Sequence, residues 1–139
     1  MDIEKELQRQ LISERDSEVF RTSYEREIDY YSIISRGDIE ALNARLHASP
    51  DRRGVLSDNN LANAKYHAVI LIALISRFCI EAGMDVLVSY SLSDIYIRMV
   101  DKAKTEKEVS DISNECSFDY CYRMHESMKK SVVSRHVVL

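Results

Sequence analysis

Residues 61–83 read Leu61-Ala62-Asn63-Ala64-Lys65-Tyr66-His67-Ala68-Val69-Ile70-Leu71-Ile72-Ala73-Leu74-Ile75-Ser76-Arg77-Phe78-Cys79-Ile80-Glu81-Ala82-Gly83. From Ala68 to Ile75 every residue is apolar. The apolar residues cover nearly the whole helical circumference, so this segment is expected to be a helix inside a bundle. Ala64, Ala68 and Ala73 would let neighbouring helices come close. Burying each Leu or Ile there contributes about 1.5–3 kcal/mol of transfer free energy. Ser57–Asn60 offers N-caps and Gly83 a C-terminal stop. The apolar run at 68–75 is far shorter than the ~20 residues that cross a bilayer, and Ser76-Arg77 ends it.

Working outward, the chain has 139 residues, 45% apolar and 30% charged. That is the size and balance of one globular domain. One Pro and three Gly favour long helices over a turn-rich sheet. The net charge of −4 gives no electrostatic invitation to nucleic acid. Cys79, Cys116 and Cys121 are odd in number and lack a CxxC, so they read as free thiols of a cytoplasmic protein. The charged start, Met1-Asp2-Ile3-Glu4-Lys5-Glu6, lacks a signal peptide's apolar segment.

Residues 1–15 read as a polar tail or frayed helix. From Asp16 to Arg36, Phe20, Tyr24, Ile28 and Tyr31 form a helical stripe, which Gly37 stops. Asp38 caps a short helix with Ile39, Leu42 and Leu46 inward. Ser49-Pro50-Asp51-Arg52-Arg53-Gly54 is a loop. In Met84–Ala103, Val86, Val88, Tyr90 and Leu92 alternate as in a strand, whereas Leu92, Ile95, Tyr96 and Met99 have helical spacing. Helix is chosen, because a lone strand has no partner; a break is expected near Ser89–Ser93. Thr105 and Glu108 make a capping box, and Val109, Ile112, Cys116, Tyr120 and Met124 stripe a last helix reaching about Lys130. The fold expected is an all-α, single-domain bundle of about five helices with a long buried central helix. Residues 16–130 are expected to form the domain.

The chemistry signals are sparse. His67 stands alone, and His125 with Glu126 lacks an HxxxH or ExxH partner, so no metal site is expected. No GxSxG or Gly-rich phosphate loop exists, and Cys79 and Cys116 fall on apolar faces, so no catalytic residue or cofactor is expected. On a helix apolar all round, Arg77 is expected to be buried and a buried Arg must be paired, so two readings of it stand. It is a structural ion pair, with Glu81 or Asp94, or it joins Tyr66, His67 and Tyr96 in binding an anionic small molecule.

Three segments together carry a resemblance: Ala64-Lys65-Tyr66-His67, then Ala73–Met84, then Tyr90-Ser91-Leu92-Ser93-Asp94-Ile95-Tyr96-Ile97. They resemble the N-terminal region of AraC/XylS-type transcriptional regulators of Gram-positive anaerobes, which read approximately NAKYH…ALISRFCIEGGM…AYTLSDLYI. Glu27-Ile28-Asp29-Tyr30-Tyr31, Phe118-Asp119-Tyr120 and Arg123-Met124 match as well. Ser134–Val138 is similar to the entry into the DNA-binding domain. The likeness covers about residues 20–139. Ala82 stands where those relatives have a first glycine, and His136 where several have proline.

The resemblance implies the regulatory half of a DNA-binding transcription factor. Its role would be to sense a signal, to form a homodimer, or both. DNA would be contacted only through a helix-turn-helix domain expected beyond Leu139, where the chain ends on apolar Val-Val-Leu; the resemblance implies that residues 131–139 begin the linker to it. It supplies no ligand, and the sugar-binding residues of β-barrel relatives do not carry over to a helical chain. A helical sensor acting without dimerisation and a small all-α enzyme are the alternatives. No membrane partner is expected.

Overall fold

The structure, a computed structural model, describes residues 1–16, 23–47 and 53–137. Six helices follow in order: α1 (Ile3–Asp16), α2 (Tyr24–Ser35), α3 (Ile39–Leu46), α4 (Asn60–Glu81), α5 (Val86–Lys102) and α6 (Glu106–Val137). No strand occurs among the described residues. The expected all-helical bundle around α4 is therefore the fold, with six helices in place of five.

Side-chain caps set most of the boundaries. Ser23, Asp38, Asn59 and Asp85 each accept the amide N–H three residues on, at the starts of α2 to α5. At α6, Thr105 Oγ1 accepts the Glu108 amide, while the Glu108 carboxylate reaches back to the Lys104 amide. Gly83 ends α4 with φ +110°. Gly37 has φ +69°, and a Cβ there would lie 2.5 Å from the His125 amide nitrogen. It thus serves both the reversal after α2 and the close approach to α6.

Cross-helix contacts give the directions. Lys65 Nζ donates to the Asp101 carbonyl while Ser76 meets Ser89, so α4 and α5 are antiparallel. The end of α5 lies beside the start of α4, and α6 begins a few residues later. Tyr120 of α6 reaches Ser89 at the opposite end, so α6 runs parallel to α4. Tyr30–Ser117 and Gly37–His125 contacts make α2 parallel to α6.

The core is one cluster. Ile34, Leu42, Ile72, Ile75, Cys79, Cys116, Tyr120 and Cys121 have no solvent exposure. The rings of Tyr31 and Phe78 lie 5.1 Å apart and join α2 to α4.

Of the two readings of residues 1–15 the helical one holds: residues 3–16 form a helix, none of its residues is buried and it packs on no other described element. Three sequence expectations need correction. The next helix starts at Tyr24 behind a Ser23 cap; Phe20 and Ser49–Arg52 lie outside the described residues. Helix α5 is continuous through Ser89–Ser93, because both of those serines face into the bundle. Helix α6 runs past Lys130 to Val137. As a 22-residue helix, α4 also meets the length and hydropathy of a bilayer span that its apolar run alone does not. Within the bundle it packs against α2, α5 and α6.

Candidate functional site

The four residues singled out from the sequence stand in different surroundings. Tyr66 is 53% exposed on the outer side of α4. His67 Nε2 donates to the Gly54 carbonyl at 2.7 Å, pinning the preceding loop to α4. Tyr96 is buried, and its hydroxyl donates to Asp119 Oδ2 at 2.5 Å. Asp119 Oδ1 also takes Arg123 Nε at 2.7 Å, making a polar link from α5 to the surface of α6. Burial, then the Asp119 hydrogen bond and charge, push the Tyr96 phenol above its ordinary pKa.

Arg77 is exposed, which corrects the expectation of a buried cation in need of an ion pair. It pairs with neither Glu81 nor Asp94. Its guanidinium lies 4.8 Å from the centre of the Tyr90 ring, and Nη1 reaches the Ala73 carbonyl at 3.4 Å. The reason is helical phase. Positions 66, 70, 73 and 77 share one stripe, opposite the buried Ala68, Ile72, Ile75 and Cys79. Tyr66 and Arg77 therefore share a face, while His67 and Tyr96 are engaged elsewhere.

The polar groups inside the bundle satisfy one another. Ser89 Oγ donates to the Ser76 carbonyl at 3.0 Å, and the two hydroxyls lie 2.9 Å apart. Tyr120 donates to the Ser89 carbonyl at 2.5 Å. Ser117 donates to the Ser113 carbonyl and accepts from Tyr30. Among the described residues no buried side-chain polar atom lacks a partner. These hydroxyls pin helices together. The three thiols are buried and free. Burial, then the charge of Cys121, pushes Cys79 up to about 12. Burial, then Asp38, pushes Cys121 up to about 11. Thiols so shifted are poor nucleophiles. Among the described residues no three His, Cys, Asp or Glu side chains gather as a metal site.

Apolar surface is what the bundle does present. On α5, Val88, Leu92, Ile95 and Met99 follow one another at spacings of four, three and four, a coiled-coil seam. Ser89, Ser93, Tyr96 and Val100 turn inward beside them. Ile95 is 47% exposed, Val88 and Met99 are similarly open, and Leu92 is half-buried. Leu87 beside the seam is 74% exposed. Val88 and the exposed Tyr122 of α6 line an open groove of about 520 Å³ with Met84, Arg123 and Lys130. Sequence reasoning missed this seam. Its signal was present in the helical spacing, but the alternation of Val86, Val88 and Tyr90 competed with it.

Comparison with protein-family models, with curated proteins and with solved structures finds no match for this chain.

Proposed function

We propose that this chain is a homodimerising regulatory module, of the kind expected in the non-DNA-binding half of an AraC-type transcriptional regulator. One observation carries the dimerisation: an exposed apolar seam at heptad spacing on α5. The seam is close to palindromic. Two copies of α5 packed antiparallel about a two-fold axis near Ser93–Asp94 set Val88 against Met99 and Leu92 against Ile95. Such an isologous contact closes on itself and yields a dimer, not a fibre.

Signal relay is the second half of the reading. The Tyr96–Asp119–Arg123 link couples the dimerising helix to α6, the 32-residue helix that leads to the chain's end. A change at the seam thereby reaches the segment where the resemblance places the connection to DNA binding. The module acts in the cytoplasm without membrane attachment, and DNA is touched only by the domain that the resemblance expects beyond Leu139.

Ligand sensing without dimerisation is the weaker alternative. It draws support from Tyr66 and Arg77 sharing an exposed face, but His67 and Tyr96 are already engaged. The test is light scattering on the purified chain. The reading predicts twice the 16.1 kDa chain mass at micromolar concentration. A strict monomer at high concentration overturns it.

A further inference from the structure

Two apolar surfaces beside the α5 seam also lie open, and they match each other. One is the outer stripe of α4: Tyr66, Ile70 and Ala73, ending at Arg77. The other belongs to α1, whose Ile3, Leu7 and Leu11 recur every four residues and are all exposed. A 14-residue helix that packs on no other described element is marginal in water, so its apolar stripe calls for a partner.

We propose that α1 folds back over α4 of its own chain, antiparallel to it, and covers the Tyr66–Arg77 stripe. Direction and reach favour this arrangement. Helix α2 runs parallel to α4 and packs against it, with Tyr31 stacked on Phe78. Tyr24, two turns before Tyr31, lies towards the start of α4. The seven residues between Asp16 and Tyr24 span up to about 25 Å. Packed helices lie only about 8–10 Å apart. A chain entering α2 at that end turns most simply from a helix running the opposite way.

The charges agree with that direction. Glu4 and Glu14 border the apolar stripe of α1, about 15 Å apart along the helix. Arg77 closes the stripe of α4, while Lys65 turns away from it to the Asp101 carbonyl. Antiparallel packing with Leu11 over Ile70 brings Glu4, seven residues earlier, towards Arg77, seven residues later. The geometry makes α1 a strap. While docked, it hides the α4 stripe, including Tyr66 and Arg77, from any other partner. This proposal stands whether or not α5 dimerises.

The test is a pair of introduced cysteines in the full chain, Leu11→Cys with Ile70→Cys. The native thiols are buried and resist oxidation. Mild oxidation is expected to give an intrachain disulfide, seen as a faster band on a non-reducing denaturing gel. The control pair Arg9→Cys with Ile70→Cys, on the opposite side of α1, is expected to give none. Disulfide-linked dimers would place α1 on a second copy, and no cross-link would leave it undocked; either result overturns the proposal. Amide exchange gives an independent reading. Protection of residues 3–16 should be lost in Glu4→Arg and regained in Glu4→Arg with Arg77→Glu. Absence of protection in the unmodified chain also overturns it.

Discussion

The inner face of α4 and the outer seam of α5 carry the same pattern with opposite fates. Ala68, Ile72, Ile75 and Cys79 are spaced four, three and four, as are Val88, Leu92, Ile95 and Met99. The first set is sealed by α2, α5 and α6. The second stays half in water. Spacing of this kind declares that a helix has a partner face, and it does not say whose chain the partner belongs to. Composition around the seam separates the two. The inner stripe is accompanied by Ser76, which finds Ser89 and is satisfied within the fold. The α5 seam is bordered outward by the exposed Ser91 and Arg98, groups that tolerate water.

The contrast can be broken by substitution, and the largest effect is expected inside. Ile72→Ala removes a fully buried side chain and should cost about 2–5 kcal/mol, read from the urea midpoint. A loss under about 0.5 kcal/mol, the range of surface changes, would mean that α4 is not the core axis.

Alkaline pH should act next, and on the inner side alone. Cys79 in the fold titrates at about 12, against an ordinary 9.0. A raised pKa means that folding favours the neutral thiol. Its stabilising contribution is complete below pH 9 and is lost as pH rises towards 12. Unfolding free energy should therefore fall across that window. At pH 8, thiol reagents should modify none of the three cysteines until denaturant is added. Rapid labelling of the native protein would show the inner face to be open.

Tyr120→Phe, which deletes the bond to the Ser89 carbonyl, should cost about 1 kcal/mol. The smallest effect on folding belongs to the seam. Met99→Gln should leave the stability of each bundle within about 0.5 kcal/mol while weakening self-association in sedimentation. Equal losses of folding and association would erase the distinction between the two faces.

Much of this fold was legible in the sequence because local chemistry wrote it. Asp38 caps α3, Thr105 caps α6, and Gly37 and Gly83 take the positive φ expected of them. The apolar stripe of α6 through Val109, Cys116, Tyr120 and Met124 is buried as its spacing requires. Where local signals compete, the reading was less clear. Ser89 and Ser93 read as helix breakers because their hydroxyls can capture backbone groups. In the fold Ser89 bonds to α4, a partner that no local rule reveals. Arg77 read as buried because α4 is apolar all round. The number of helices that surround α4 decided the matter, and tertiary packing alone sets that number. The α1–α2 boundary escaped because Ile3, Leu7 and Leu11 lie among charges and meet no core. Of the candidate site, sequence placed Tyr66 and Arg77 on one helix but did not separate them from His67 and Tyr96. The α5 seam was masked by the strand-like alternation that overlaps it.

The antiparallel seam has one direct test, a mixing experiment. If Leu92 of one copy faces Ile95 of the other, Leu92→Lys and Ile95→Asp should each be monomeric when alone. An equimolar mixture should form heterodimers, because one contact becomes a Lys–Asp pair and the other stays Leu–Ile. Light scattering on the two variants and their mixture is predicted to give one chain mass, one chain mass and two. A dimer from either variant alone, or a mixture that remains monomeric, would contradict the account.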